Sequence, residues 1–244
     1  MKQLLTLSQS EFDKIIEKRK SKVLIILVGM MLLGAGGLYF YVENNLNLTT
    51  ISGSNFSVWI LESLMGFILP FFAAMVIADS IAGESQVGTM ANVYALPVTR
   101  QTMYVSKIIA SLSYVAMIVG VIFVMTLMVG IVTTGLDILF SLGMILTTYL
   151  KAIAALGLVI ACVGYLALWM KSSSMTLVVS TILFIVMNIF GLFIGTWDGL
   201  LPTTVIGSFD KIFTQNHMSL LVNMISYYII LIIIGIFKFQ KKEV

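Results

Sequence analysis

Six long apolar segments dominate the sequence and restrict its fold more than any other feature. They cover residues 23–42, 58–78, 108–133, 138–170, 175–197 and 219–237. A helix of about 20 apolar residues crosses a hydrocarbon core of about 30 Å. Charged residues make up only 10% of the 244 residues, whereas a soluble domain has about a quarter. The sequence therefore predicts an all-α polytopic membrane protein, a single transmembrane domain over 1–244 with six transmembrane helices.

Basic residues are distributed unevenly among the connections between these segments. If both termini are cytoplasmic, the inner segments are 1–22, 79–107, 171–174 and 238–244, and they hold twelve of the 14 Lys and Arg residues. The outer connections 43–57, 134–137 and 198–218 hold only Lys211. Cytoplasmic loops of membrane proteins carry this excess of positive charge. The pattern predicts a multi-pass protein with both termini in the cytoplasm.

An amphipathic pattern precedes the first apolar segment, within residues 1–22. Ser8 and Glu11 have the spacing of a capping box, which satisfies free amide groups at the start of a helix. Phe12, Ile15 and Ile16 then fall on one helical face. We expect an N-terminal helix in the inner membrane interface, with its basic residues facing anionic lipid headgroups. The alternative is a cytoplasmic segment whose charges only fix the topology.

A second amphipathic pattern lies between the second and third apolar segments. One face of the predicted helix consists of Val87, Met90, Ala91 and Tyr94. Glu84 would lie in the first turn, where a carboxylate complements the helix dipole. Pro97 disfavours helix at the residue before it, so the helix should end near Leu96. The sequence predicts a short helix in this connection, followed by an extended turn and Arg100.

The same connection resembles a family signature. It contains E-x-x-x-G-T, then L-P-V-T-R, and then a lysine seven residues later. The positions are Glu84, Gly88, Thr89, Leu96, Pro97, Val98, Arg100 and Lys107. This pattern resembles that of type-2 ABC exporter permeases, the membrane subunits of bacterial ABC exporters. The six predicted spans and the basic N-terminal helix are similar to that family as well.

The resemblance implies a function for the connection. In this family it is a coupling helix, which docks into a groove of a separate ABC ATPase and transmits the movement caused by ATP binding. The implied interface comprises Glu84, Val87, Gly88, Thr89, Met90, Tyr94, Pro97 and Arg100. The resemblance further implies two ATPase copies, a second permease copy or a paralogous permease, and the bacterial cytoplasmic membrane. The apolar character of the chain favours a hydrophobic or amphipathic peptide as cargo.

Several sequence motifs for nucleotide binding and metal binding do not occur in the sequence. The dipeptide Gly-Lys is missing, so there is no Walker A motif. There is no metal-spaced cluster of Cys and His around Cys162 or His217, and we assign no catalytic or metal-binding residue. We expect no cofactor in this chain, with ATP and magnesium bound by the partner ATPase. This chain is also expected to contact membrane lipid, and we expect no nucleic acid as a partner.

Two ionisable residues lie inside the apolar segments, where charge is costly and often functional. Glu62 lies near the outer end of the second segment, and Lys151 lies near the middle of the fourth. They are candidates for lining a translocation route. An alternative function is an ion-coupled secondary transporter or channel that uses Glu62 and Lys151. A structural reason can also account for each charge. Glu62 would have access to solvent, and Lys151 would be placed by helix packing. Pro70 should kink the second segment.

Overall fold

The structure is a computed structural model that describes residues 2–46, 53–88, 98–194, 201–212 and 218–241. These residues form helices and turns and contain no strand. The α-helices are α1 (Lys2–Glu17), α2 (Arg19–Leu46), α3 (Gly53–Met65), α4 (Ile68–Val87), α5 (Arg100–Thr134), α6 (Leu142–Ala167), α7 (Ser173–Ile194), α8 (Pro202–Gly207) and α9 (Met218–Gln240). Two 3₁₀ segments cover Gly135–Ser141 and Phe209–Lys211.

Among the described residues, six helical segments are long and apolar enough to cross a membrane, which confirms the predicted all-α polytopic fold. They are Arg19–Tyr41, Ile68–Val87, Arg100–Val132, Ile138–Ala167, Ser173–Gly191 and Met218–Gln240. The helical bounds differ from the apolar segments mainly where polar residues extend a span. The third span, helix α5, begins at Arg100 rather than near Ile108, because polar residues such as Gln101 and Ser106 belong to its first turns. Hydropathy alone does not detect such an extension.

The second predicted span consists of two helices, α3 and α4. Their junction is at Gly66 and Phe67, four and three residues before Pro70. Proline has no amide hydrogen, so the carbonyl of Gly66 loses its normal helical donor. The helical pattern resumes with a bond of 3.0 Å from the amide of Phe71 to the carbonyl of Phe67. The predicted kink is thus confirmed, and it lies one turn before the proline.

The fourth apolar segment, which is long for one crossing, begins as a 3₁₀ segment. Residues Gly135–Ser141 form that segment, and α6 then runs for 26 residues to Ala167. At 1.5 Å per residue, α6 spans about 39 Å. The helix type therefore changes at the start of the segment, and α6 continues without a break past Lys151.

The connection before the last span folds back into the bundle. Its residues Thr203, Val205, Ile206, Phe209 and Ile212 are all buried. The Nζ of Lys151 on α6 donates a hydrogen bond of 2.8 Å to the carbonyl of Asp210. Because Lys151 is nine residues after the first residue of α6, this contact lies about 13 Å from the start of that helix along its axis. The connection predicted as an outer loop therefore packs into the bundle beside α6.

The N-terminal helix α1 packs against α5. Its buried face includes Ser8, Glu11 and Ile15, and the hydroxyl of Tyr114 on α5 donates to the carbonyl of Ser21 at 2.9 Å. The predicted capping box is wrong, because the helix begins at Lys2 and Ser8 lies inside it, where its hydroxyl donates to the carbonyl of Leu5. The helix itself is present, and its position in the membrane interface stays a prediction.

Candidate functional site

A buried lysine, Lys107, joins three helices at one end of the bundle. We call this the basal end, where Arg100 at the start of α5 donates to the carbonyl of Gln240 at the end of α9 at 2.8 Å. The side chain of Lys107 is 1% exposed. Its Nζ lies 2.7 Å from Oε2 of Glu11 on α1 and 2.8 Å from Oε2 of Glu84 on α4. One ammonium group therefore connects α1, α4 and α5.

A second lysine balances the charge of this group. Lys14 lies one turn after Glu11 on α1, and its Nζ is 2.6 Å from Oε1 of Glu11. We name Glu11, Lys14, Glu84 and Lys107 the basal cluster. It holds two positive and two negative charges, and charge-assisted hydrogen bonds join them. Such pairing is what makes a buried charge tolerable, since an isolated ion is strongly disfavoured away from water.

The cluster shifts the ionisation of its members on α1. Burial by itself would raise the pKa of Glu11, but the charge of Lys107 and hydrogen bonds from Lys107 and Lys14 outweigh it and lower the pKa below its usual value. For Lys14, burial opposes the charged form, but the hydrogen bond and charge of Glu11 raise the pKa. Both shifts favour the ionised forms, so the pair is held charged at neutral pH.

Glu84 lies at the end of a helix rather than at its start, which corrects the sequence-based assignment. Helix α4 continues through Gly83 and Glu84 and ends at Val87, because nothing in residues 79–87 interrupts it. It stops at Gly88, whose φ of 74° is left-handed and suits a residue without Cβ. A carboxylate is unfavourable beside the negative end of a helix dipole. The ion pair with Lys107 compensates for that position.

A second contact at the basal end fixes the junction between α1 and α2. The Nζ of Lys20 is 3.1 Å from Oδ2 of Asp79 on α4, and the Nζ of Lys18 donates to the carbonyl of Asp79 at 3.3 Å. Burial lowers the pKa of Lys18. The first two helices are therefore attached to α4 at Asp79 as well as through the basal cluster.

The structure places four of the predicted interface residues and leaves four outside its described ranges. Val87 ends α4 with 75% of its side chain exposed, and Gly88 follows it. Thr99 caps α5 by accepting from the amide of Thr102, and Arg100 is the first helical residue. Glu84 belongs to the basal cluster. Thr89, Met90, Tyr94 and Pro97, and with them the predicted coupling helix, lie outside the described residues.

The basal cluster brackets the connection between α4 and α5. Glu84 is four residues before Gly88, and Lys107 is eight residues after Thr99, so their ion pair ties the two ends of the connection together. Glu11 adds α1 to the same group. A force applied to the connection therefore acts on α4, α5 and α1 jointly. In the described part of the chain, no group of three or more His, Cys, Asp or Glu residues could hold a metal ion.

Glu62 and Lys151 do not pair with each other in the described structure. Lys151 binds the carbonyl of Asp210, as described above. Glu62 is exposed on α3 and lines a cavity of about 410 Å³ between α3, α4, α7 and the segment that contains α8. Asp210 lines the same cavity. Glu62 therefore lines the cavity, whereas Lys151 does not.

Sequence reasoning missed the partners of Lys107 and the contact at Asp79. The spacing between Ser8 and Glu11 fits a capping box, and this local explanation conceals the distant partner of Glu11, Lys107. Its polar side chain aligns with buried Ser8 and Ile15 on one face of α1, and this interruption of a packing face was the available signal. Asp79 gave no signal, because an acidic residue at the end of a span is ordinary.

Comparison of the sequence with protein families establishes the family of the chain. Residues 7–191 match the model of the ABC-2 family transporter protein, which is more than half of the chain. A search of curated proteins found no match. The matched range contains most of α1, the basal cluster and the first five spans. With six apolar helices and this match, the chain belongs to the ABC-2 family of transporters as a multi-pass, type-2 ABC permease subunit.

Proposed function

We propose that this permease subunit is the membrane part of an ATP-driven exporter and that a separate ABC ATPase acts on the connection between α4 and α5. The basal cluster is the observation that carries this proposal. An ion pair that joins the two ends of a connection and extends to a third helix suits a segment that receives force. Its buried, charge-assisted contacts provide a stiff linkage between the connection and the spans.

The connection also has the properties of a docking segment. Val87 presents an exposed apolar side chain next to the left-handed turn at Gly88. After this turn, the apolar positions Met90, Ala91 and Tyr94 have the sequence spacing of one helical face, which fits a helix-in-groove contact. We infer that Glu84 and Arg100 hold the ends of the segment through Lys107 and Gln240. The residues between them provide the contact with the ATPase.

The remaining parts of the proposal follow from topology and from the family. The basal end would face the cytoplasm, so both termini are inside, and the protein would belong to a bacterial cytoplasmic membrane. Two ATPase copies would act on two permeases, the second being the same chain or a paralogue. ATP and magnesium would be bound by the ATPase. A hydrophobic or amphipathic peptide is the proposed cargo, because the spans offer mainly apolar surface.

The alternative function, an ion-coupled transporter or channel, would depend on Glu62 and Lys151. No observation favours it, because Lys151 has a structural partner in the carbonyl of Asp210. It also leaves the basal cluster without a role. The two functions differ in their energy source, so they can be separated by experiment.

The test combines this chain with the ABC ATPase encoded beside it in the genome. We expect the two to purify as a complex that hydrolyses ATP, whereas the chain alone does not. Val87→Gln should weaken the complex, because it replaces an exposed apolar contact without disturbing the basal cluster. Phe140→Gln is the matched control, since Phe140 is 92% exposed on a segment predicted to lie at the opposite membrane face.

Two outcomes would contradict the proposal. If the chain alone drives uphill transport from an ion gradient in proteoliposomes, the exporter function is wrong. If Phe140→Gln releases the ATPase and Val87→Gln does not, the contact lies at the other end of the bundle and the proposed orientation is wrong.

A further inference from the structure

A cavity of about 410 Å³ lies beside the junction between α3 and α4. One wall contains Phe67, Pro70 and Phe71, and the rings of Phe67 and Phe71 stack with centroids 5.7 Å apart. Phe184 of α7 and Phe209 of the 3₁₀ segment complete an aromatic lining. Such an apolar lining is typical of a site for a small molecule or for part of a larger one.

Thr203 gives the first sign that the cavity is built for a ligand. It lines the cavity and is 3% exposed, yet its Oγ1 has no hydrogen-bond partner among the described residues. A buried hydroxyl without a partner is unfavourable, so such groups are rare in folded proteins. Because this oxygen has almost no accessible surface, a polar group of a ligand in the cavity would satisfy it after rotation of the Thr203 side chain. This hydroxyl is independent of the charged residues at the same site.

The charged lining favours a cation. Glu62 and Asp210 contribute two carboxylates to the cavity, and Lys211 contributes one ammonium group. Neither carboxylate takes part in an ion pair within the described structure. Lys151 does not line the cavity, and its amine is engaged by the carbonyl of Asp210. Phenyl faces also attract cations, because the ring face carries partial negative charge.

The amide of Asn188 offers a further acceptor. Its Nδ2 donates to the carbonyl of Phe184 at 2.8 Å, within α7. The side-chain oxygen of Asn188 is then left to accept a hydrogen bond at the cavity lining. With Thr203 and the two carboxylates, the cavity offers several acceptors for the hydrogens of one ammonium group.

We propose that this cavity binds the ammonium-bearing end of an amphipathic cation, with Glu62 and Asp210 as charge partners, Thr203 as a hydrogen-bond partner and the phenylalanines around the apolar body. A lysine side chain or a primary alkylamine has this chemistry. Binding itself does not depend on the proposed function. The conclusion that the bound molecule is cargo rests on that function, and would make the cargo a cationic amphiphile.

The binding test uses three molecules with the same apolar body, namely 4-phenylbutylammonium, 4-phenylbutanoate and 4-phenylbutanol. The full chain is placed in nanodiscs, and equilibrium dialysis measures binding above that of empty nanodiscs. We expect the ammonium compound to bind about fivefold or more tightly than the other two, since an ion pair and aromatic contacts each contribute modestly. Equal binding of all three, or tighter binding of the carboxylate, would overturn the proposal.

Three variants identify the residues responsible. Glu62→Gln keeps the shape of an exposed side chain and should weaken ammonium binding about fivefold, while phenylbutanol binding stays unchanged. Asp13→Asn is the matched control, because it removes an exposed carboxylate on α1 that does not line the cavity. Thr203→Val should weaken ammonium binding without lowering thermal stability. If Glu62→Gln and Asp13→Asn bind alike, Glu62 is not a charge partner and the proposal fails.

The role of the cavity in export is tested separately. Because dialysis needs no ATPase, binding can succeed even if the chain is not an exporter subunit. If ammonium binding holds and the complex with ATPase fails to form, the exporter function is wrong and the site stands. If the complex hydrolyses ATP but ammonium binding is absent, the exporter function stands and the site is wrong.

Discussion

The ammonium group of Lys107 lies 2.7 Å from the carboxylate of Glu11, a residue 96 positions earlier in the chain. The same ammonium group lies 2.8 Å from Glu84. The two contacts make the N-terminal helix part of the structure that surrounds the α4–α5 connection. Helix α1 is therefore expected to move with the spans that flank this connection.

Removing the charge of Lys107 should be strongly destabilising. Lys107→Met would leave the buried carboxylate of Glu11 and the partly buried carboxylate of Glu84 without their shared partner, with a cost of about 3–5 kcal/mol. Denaturant unfolding of the full chain in detergent would measure the loss. Lys20→Met is the matched control, since Lys20 is 65% exposed in its pair with Asp79 and should cost less than about 1 kcal/mol. Equal losses in the two variants would show that burial of Lys107 contributes nothing.

The stability of the basal cluster should depend on pH in the acid range. Because the pKa of Glu11 is lower in the folded state than in the unfolded state, its stabilising contribution is present above the unfolded value, about 4.3. It is lost as pH falls through the folded pKa, when Glu11 takes up a proton. Melting temperatures between pH 7 and pH 3.5 would show this loss.

The variant Glu11→Gln isolates the contribution of this carboxylate. It should be less stable than the parent at pH 7, and the difference should shrink as the pH is lowered below about 4. Asp13→Asn, at an exposed position on the same helix, should follow the parent curve throughout. A difference between parent and Glu11→Gln that stays constant to pH 3.5 would contradict the role assigned to the charge of Glu11.

Lys151 should stabilise the buried segment of residues 201–212 rather than contact cargo. Lys151→Met removes a hydrogen bond from a charged donor to the carbonyl of Asp210, and such bonds contribute about 1.5–3 kcal/mol. Amide hydrogen exchange in residues 201–212 should then become about tenfold faster or more, while exchange in α1 stays unchanged. Lys171→Met, at an exposed position between α6 and α7, provides the control. Unchanged exchange in residues 201–212 would contradict this role.

The spans and the kink of the second span are predictable from the sequence, while the basal cluster is not. Apolar length and the missing amide of Pro70 are local properties, so residues 23–42 and 58–78 already contain the information. The Glu11–Lys107 pair depends on how α1 packs against α5, and no local spacing specifies that. The spacing that Val87 shares with residues 90 and 94 favours a new helix from residue 84, although α4 extends to Val87. The glycine at position 88 is the local signal for the end of α4.

Gly88 should be required for the turn that begins the α4–α5 connection. Its φ of 74° is left-handed, and no atom of the described residues lies within 4 Å of the position that a Cβ would occupy, so a side chain there meets backbone strain rather than a clash with them. Gly88→Ala should lower the free energy of unfolding by about 1 kcal/mol, and Gly88→Asn by less, because asparagine tolerates this conformation. Gly37→Ala is the control, since Gly37 lies in α2 with open space and alanine favours helix. If alanine and asparagine at position 88 are equally neutral, the left-handed turn does not shape this connection. If they are destabilising in the expected order and ATPase stimulation falls with them, the turn contributes to coupling.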